Sequence, residues 1–520
     1  MTGEDVDPTL DPEQLHGVGD MDPETFRVHG RTVVDWIADY LAGVGDLPVL
    51  SRVAPGDVRA ALPAVPPAAP EPFADVLADL DRVVVPGTTH WNHPAFHAYF
   101  AITGSGPGIL GEAVAAALNV NGMLWRTSPA ATELEEVVLD WLRQLLGLPG
   151  PEDPGGGFRG IILDTASVAT LTALAGAREA AGLDVRVRGM AGRGDLPPLR
   201  VYTSTQAHSS VAKAAITLGL GQDGVRSVAT DAAFRLDVAA LEDAIRADVQ
   251  LGVRPLAIVA TVGTTSSTSV DPVAEVADLR ERLVEELGHP IWLHVDGAYG
   301  GMVALCEELR WVLDGVERAD SFVTNPHKWL FTPIDCSALY VRDPGVLKAA
   351  FSLVPEYLTT DDPDAVTDYM DWGVQLGRRF RALKLWMVLR WFGADGLARR
   401  IRHHVAQARH VADWVDAHPR LERLAPVPMS TVCFRDVGDV GAGTGAGAGV
   451  DEAVLRERNL AWMRRVNATG EVFLSHTELD GRTCLRLATG NLRTDDARLE
   501  RTLGVLERCL APADRSTPAD

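Results

Sequence analysis

Cysteine is scarce in this chain of 520 residues: Cys306, Cys336, Cys433, Cys484 and Cys509 are odd in number, far apart and mostly set in apolar surroundings. That usage argues against a disulfide framework and against a metal site, and suits buried reduced thiols in a cytoplasmic protein. Basic charge is thin as well, 48 Lys and Arg against 71 Asp and Glu, a formal net charge of −23. Nucleic acid and anionic membrane are therefore poor candidates for a general partner. No apolar run approaches the roughly 20 residues that span a bilayer. The first twenty residues are acidic without an apolar core, which fits neither a secretory signal nor a transit peptide.

What the chain does have is length for about two or three domains and a sizeable buried core. After an acidic tail (1–20), Asp22-Pro23-Glu24 reads as a helix start, with Phe26, Val33, Ile37 and Tyr40 at helical spacing. This opens an N-terminal helical segment (21–100), in which the proline-rich stretch Pro63 to Pro72 reads as an extended connector. Ser128-Pro129 starts a second helix, with Leu134, Val138, Trp141 and Leu145 as its stripe and Gly147 and Pro149 as its stop. Short apolar runs at Ile161–Leu163, Val201–Tyr202, Leu256–Val262, Ile291–Val295 and Leu339–Val341 then alternate with helical patterns such as Pro272 to Leu287. The expectation is an α/β large domain (101–390) whose mainly parallel sheet is covered on both faces. From about Phe392 the character changes. An Arg- and His-rich helix (Leu397 to Val411) and strand-like Thr431–Phe434 and Thr483–Leu487 suit a small α+β domain (391–512), followed by a tail (513–520). Gly438 to Gly449, nearly all glycine and alanine, reads as a flexible surface insertion rather than a phosphate loop.

Lys328 stands in Ser-Phe-Val-Thr-Asn-Pro-His-Lys-Trp (Ser321 to Trp329), and roughly thirty positions earlier Asp296 stands in His294-Val295-Asp296-Gly297-Ala298-Tyr299. Such a separation alone occurs in almost any chain of this size. The apolar runs Ile291-Trp292-Leu293 and Phe322-Val323 give it meaning, because they put both residues at strand ends, where open α/β sheets keep their chemistry. A strand-end carboxylate with a strand-end lysine is what pyridoxal phosphate needs. The amine condenses with the aldehyde, and the carboxylate keeps the pyridine nitrogen protonated so that the ring can absorb electrons. Thr165-Ala166-Ser167 directly precedes the helical run Thr170 to Ala180, and free N–H groups at a helix start suit a phosphate dianion; an ordinary helix cap is the alternative use of the two hydroxyls.

With these segments and Ala207-His208-Ser209-Ser210, the chain resembles the group II pyridoxal-phosphate decarboxylases, in their aromatic-L-amino-acid decarboxylase branch. The likeness runs in order over roughly residues 20 to 510. It includes Thr89-His90-Trp91, Phe96-His97-Ala98-Tyr99-Phe100, Ser128 to Glu135 and Gly377-Arg378-Arg379-Phe380-Arg381. The resemblance implies the fold type I architecture of pyridoxal-phosphate enzymes, with a seven-stranded type of sheet, and a homodimer with shared active sites, the 21–100 segment wrapping the partner. It implies that Ala166, Ser167, Thr265 and Asn325 contact the phosphate or cofactor. It also implies that His208 and Ala298 enclose the ring, that Asp296 pairs with its nitrogen, and that Lys328 holds it beside His327. Val168 stands where the family often carries an acidic residue. Arg378 and Arg379 read by default as a solvated basic patch, with carboxylate or interface contacts as the alternative.

For the reaction, Tyr357, in Leu353-Val354-Pro355-Glu356-Tyr357-Leu358 before the acidic, turn-rich Thr359 to Asp364, matches the family's catalytic-loop tyrosine and is the expected proton donor. Relatives that make aldehydes with oxygen commonly have phenylalanine there or lose the stacking histidine. Retention of Tyr357 and His208 thus favours decarboxylation to an amine over aldehyde synthesis. Trp91, Tyr99 and Phe100 match an aromatic pocket wall, with Asn121, Met123 and Gly377 as further substrate-side positions. Animal relatives carry proline, isoleucine and phenylalanine where this chain has Ala101, Asn121 and Met123, and a small residue where it has Arg126. Gly377 resembles the small residue that admits an indole in some plant relatives. Tryptophan, 5-hydroxytryptophan, DOPA, tyrosine and phenylalanine are the expected substrates. A catalytically idle scaffold and a decarboxylase of acidic amino acids are the other readings; intact Lys328, Asp296 and His208 argue against the first, and the lack of an arginine motif for a second carboxylate against the other.

Overall fold

The computed structural model describes residues 10–154, 156–353, 366–438 and 451–510. Tyr357 and the segment Thr359 to Asp364 lie outside the described residues, as does nearly all of the Gly438 to Gly449 insertion. Two compact units interleave along the chain. The first gathers residues 10–96, 462–474 and 493–510, and the second takes the rest of the described chain.

In the first unit the helix Pro23–Gly43 begins as its sequence predicts: Asp22 accepts hydrogen bonds from the Glu24 and Thr25 amides at 2.9 and 3.2 Å, with Pro23 in the first turn. None of its residues is buried; Val33, Ile37 and Tyr40 are half-covered while Phe26 is 65% exposed. The Pro63 to Pro72 stretch forms neither helix nor strand and is exposed nearly throughout. Trp462, Val466, Val472, Val505 and Leu506 supply buried apolar side chains, and the Trp462 indole donates to the Leu506 carbonyl at 3.1 Å.

The second unit is built on seven strands, β1 (Arg159–Leu163), β2 (Leu199–Ser204), β3 (Val225–Val228), β4 (Arg254–Thr261), β5 (Trp292–Asp296), β6 (Ser321–Thr324) and β7 (Ser337–Val341). Their order is β1-β7-β6-β5-β4-β2-β3. All neighbours pair in parallel except at β7, which runs antiparallel to both β1 and β6. The side chains of β4 alternate between two covers. Ala257 and Val259 meet Leu174 and Val211 from the helices Ala166–Ala180 and Ser210–Thr217. Ile258 and Ala260 join Leu241, Ile245, Val276 and Leu279 from Val238–Gln250 and Val273–Leu287. A sheet buried on both faces explains why its strands read as continuous apolar runs.

The change of character near Phe392 falls at a break inside the long helix Arg381–Ala417, where Gly393 takes φ 63° and ψ 167°. A left-handed φ is cheap only for glycine. A second sheet follows, β8 (Leu421–Arg423), β9 (Thr431–Asp436), β10 (Ser475–Leu479) and β11 (Arg482–Ala488), all antiparallel in the order β10-β11-β9-β8. The strands legible in sequence, β9 and β11, are its two central ones. Cys306, Cys336, Cys433 and Cys484 are buried and Cys509 half-buried, all as free thiols. Among the described residues no helix is long and apolar enough to cross a membrane.

Candidate active site

Because β1, β2, β4, β5 and β6 run the same way, their carboxyl ends share one edge of the sheet. That edge collects Thr165-Ala166-Ser167, His208, Thr265, Asp296 with Ala298, and Asn325 to Lys328. Main-chain bonds knit the ends together: Gly297 N–H to the Val323 carbonyl at 2.9 Å, Asn325 N–H to Ala298 at 3.2 Å, and Val262 N–H to Asp296 at 2.9 Å. The turn after β4 passes the start of Gly300–Leu305 so closely that a Cβ on Gly263 (φ +87°) would stand 2.9 Å from the Gly300 nitrogen. Only glycine fits that crossing.

Lys328 lies in a short helix, Pro326–Trp329, set directly after β6. Burial lowers the pKa of its amine, Asp296 opposes that shift, and the Arg486 guanidinium adds to it. Its Nζ lies 5.3 Å from the centroid of the Phe100 ring. Asp296 is buried, and its Oδ1 accepts from the Ala298 amide at 3.0 Å. Phe100 stacks on Tyr299 at 3.8 Å, and Tyr299 on Trp329 at 4.7 Å. Tyr99, in the left-handed region at φ 54°, has its carbonyl held by buried Arg486 and its amide bonded to the Ser475 hydroxyl at 3.3 Å.

His208 is exposed at the same edge, with Nδ1 3.1 Å from the donating Ser210 amide and 3.0 Å from the Ser210 hydroxyl. Nδ1 is therefore an acceptor, and the neutral ring carries its proton on Nε2. Desolvation lowers its pKa, with Lys328 and Lys213 contributing and Asp296 opposing. His327 is buried, accepts the Cys336 amide on Nδ1 at 3.0 Å, and is pushed down to about 3, first by burial and then by Lys328. It too stays neutral at physiological pH. Asn325 accepts from the Ser337 hydroxyl at 2.7 Å. Thr165 caps Ala166–Ala180 without a side-chain bond, leaving Ser167 and Thr265 exposed. Val168 packs with the apolar cluster of Ile161, Leu163 and Ala169, so it offers no polar contact.

The substrate-side positions are divided. Tyr99 and Phe100 come to the Lys328 edge. Asn121, Met123 and Gly377 gather instead around Arg378, whose amide donates to Asn121 Oδ1 at 2.9 Å; Asn121 Nδ2 meets Met123 Sδ at 3.4 Å. A Cβ on Gly377 would stand 4.0 Å from Asn121 Nδ2, so this position has room. Arg126 is exposed. Trp91 belongs to the first unit, where it stacks on Phe96 at 4.4 Å.

The solvated basic patch is a misreading. Arg378 is buried, pairs with Glu135 at 2.6 Å, donates to the Ile162 carbonyl at 2.9 Å and lies 4.6 Å over the Tyr369 ring. Arg381 is buried too, bonded to Asp335 at 3.1 Å and to Asp164, the residue before Thr165. Only Arg379 faces solvent, beside Glu112. Sequence reasoning also missed Arg486. Its signal was a lone arginine inside the apolar run Thr483–Leu487, a position that strand burial makes costly unless the charge is used.

An amine of lowered pKa, a buried carboxylate, a neutral imidazole and the amides of a helix start form the donor set that pyridoxal phosphate requires. A family model for the pyridoxal-dependent decarboxylase conserved domain matches residues 55–437. The chain belongs to this family. It is 40% identical to tyrosine decarboxylase 2 of Arabidopsis thaliana over 94% of this chain and 87% of that protein. Phenylacetaldehyde synthase of the same plant is also 40% identical, over 94% and 96%. The solved structure of Oryza sativa TDC with PLP and tryptamine superimposes with a TM-score of 0.88 at 40% identity, covering 95% of this chain and 99% of that one.

The protein is thus a pyridoxal-phosphate-dependent carboxy-lyase of the aromatic amino acid decarboxylase family, with the fold type I architecture expected from its motifs. When bound, the cofactor supplies an electron-poor ring that takes up the electron pair left as carbon dioxide departs. The chain's own residues supply the setting. Lys328 offers an amine biased toward its neutral, nucleophilic form. Asp296 offers a fixed negative charge. The N–H groups of the first turn of Ala166–Ala180 point off the helix end toward any bound anion. His208 presents an Nε2 proton at the open edge.

Proposed function

We propose that this enzyme converts an aromatic L-amino acid, drawn from tryptophan, 5-hydroxytryptophan, DOPA, tyrosine and phenylalanine, to the corresponding amine and carbon dioxide. In this reading Lys328 and Asp296 hold and tune the cofactor, Ala298 and His208 enclose its ring, and Ala166, Ser167, Thr265 and Asn325 hold its phosphate, with His327 buried behind. The Cα–carboxylate bond breaks, and Tyr357 returns a proton to Cα. Phe100 presents an aromatic face 5.3 Å from the Lys328 amine, which suits an aromatic side chain.

His208 carries the choice of amine over aldehyde: its ring is fixed by two contacts to Ser210 at Nδ1 and keeps a proton at Nε2, within electrostatic reach of Lys328 and Asp296. A proton held there would keep the site set for protonation at Cα, as the amine product requires, rather than for reaction with oxygen. The relative named phenylacetaldehyde synthase supports the second reading, an oxygen-consuming aldehyde synthase. A competition assay with equal amounts of the five amino acids and glutamate, reading amines, aldehydes and peroxide together, separates them. Amine without peroxide is the expected result; aldehyde with stoichiometric peroxide overturns it.

The working unit in this reading is a homodimer with shared sites. Leu110, Val114 and Leu118, one turn apart on the helix Gly106–Leu118, are 53%, 47% and 54% exposed. An apolar stripe of that kind suits a second copy. Sedimentation should give twice the chain mass, and Val114→Glu should shift it toward the monomer.

A further inference from the structure

The first unit contains a cavity of roughly 530 Å³ lined by none of the residues placed at the candidate active site. It lies among the loop after the helix Pro23–Gly43, the turn Thr469 to Val472 and the helix Asp496–Cys509. Buried Ala95, Val472 and Val505 line it together with Arg52, Arg498 and Arg501. Two of these arginines are seated against glycine. A Cβ on Gly45 would lie 2.6 Å from Arg498 Nη1, and one on Gly470 (φ +76°) would lie 2.3 Å from Arg52 Nη2. Arg52 is further fixed by donating to the Thr469 carbonyl at 3.1 Å.

Acids outnumber bases by 71 to 48 in this chain, so an arginine usually finds a carboxylate; Arg246 and Arg318 each pair with two. Among the described residues, Arg52, Arg498 and Arg501 form no ion pair. Asp46 and Glu471 also line the cavity, but Glu471 is engaged by Arg508 at 3.0 Å. Three guanidinium groups against the single remaining carboxylate of Asp46 leave the cavity net positive, and with the apolar side chains of Ala95, Val472 and Val505 they form a receptor for an anion with an organic body. Guanidinium forks match phosphate and carboxylate oxygens two at a time, and the volume is that of a small-molecule site.

We propose that this cavity binds a small organic anion bearing two or more acidic oxygens, either a phosphate ester or a polycarboxylate. The binding is separate from the cofactor's own phosphate and leaves the decarboxylation chemistry untouched.

The test is calorimetric titration of the full-length, cofactor-loaded enzyme with glycerol 3-phosphate and with citrate at constant ionic strength. One site per chain is expected for at least one of them, and which one binds identifies the acid group. The Arg498→Gln/Arg501→Gln double variant should bind about a hundredfold more weakly, and Arg501→Gln alone, a change on an exposed side chain, about tenfold, the loss expected for each charged hydrogen-bonding partner removed. The visible absorbance of the cofactor should be unchanged in both. Absence of saturable binding by either probe overturns the proposal, as does undiminished affinity in the variants. If the double variant fails to fold, the single variant decides.

Discussion

The guanidinium of Arg486 lies over the ring of Phe100, 4.4 Å from its centroid, and the Lys328 amine approaches the same ring at 5.3 Å. Two cations on one aromatic ring, with Asp296 the carboxylate that acts on the lysine, define the electrostatics of the site. Burial does most to lower the lysine pKa, and Arg486 adds to it by like-charge repulsion. Arg486→Met keeps the bulk and removes that repulsion, so the pKa of Lys328 should rise. The acid limb of cofactor capture by the apoenzyme should then move to higher pH, because the neutral amine is the reactive form. Capture rates measured from pH 6 to 9 check this; an unmoved limb would mean that Arg486 serves only to hold the carbonyls of Tyr99 and of Ser266, to which its Nε donates at 2.9 Å.

Asp296→Asn separates charge from structure. The bond from the Ala298 amide to Oδ1 at 3.0 Å can be kept by an amide oxygen, so circular dichroism and melting should change little. Loss of the fixed negative charge should lower kcat by about 10²–10³-fold, the scale of removing one preorganised electrostatic contact. A variant with near-normal kcat would place the charge-supplying group elsewhere.

Asp296 and Lys328 were legible because all of β5 and β6 is buried, which writes the strands as apolar runs with the functional residues at their ends. Asp22 and Ser128 were legible because a cap is a local device. The burial of Arg378 and Arg381 was not, since Glu135 and Asp164 stand 243 and 217 positions away in the chain, and a charge whose partner is distant reads as a surface charge. The stack of Trp329, Tyr299 and Phe100 was hidden for the same reason: each ring comes from a different segment. Asp271, buried at the foot of the β4 turn, gave no sequence signal at all.

The contrast between Arg378 and its neighbour is testable by stability alone. Arg378 and Glu135 are 3% and 5% exposed, and the glutamate also accepts the Ile162 amide at 2.8 Å. Arg378→Ala strands a buried carboxylate and should cost about 3–5 kcal/mol. Arg379 is 61% exposed, and Arg379→Ala should cost less than about 1 kcal/mol. Urea denaturation of both variants gives the comparison, and equal losses would return Arg378 to the status of a surface charge.

Asp271 should give the fold a pH dependence of opposite sign to that of most carboxylates. It accepts the Leu236 and Thr261 amides at 2.8 and 2.7 Å, yet burial raises its pKa from 3.8 to about 7. Between those values the folded protein holds a proton that the unfolded chain has released. Stability contributed by this group is therefore present below about pH 4 and lost as pH rises toward 7, with a slope of at most about 1.4 kcal/mol per pH unit. Other groups titrate over the same range, so the informative quantity is the difference between wild type and Asp271→Asn, which cannot ionise. That difference should move in favour of the variant as pH is raised from 4 to 7 and flatten above. A difference constant across the range would mean that the two amide donors, rather than burial, set the ionisation of this carboxylate.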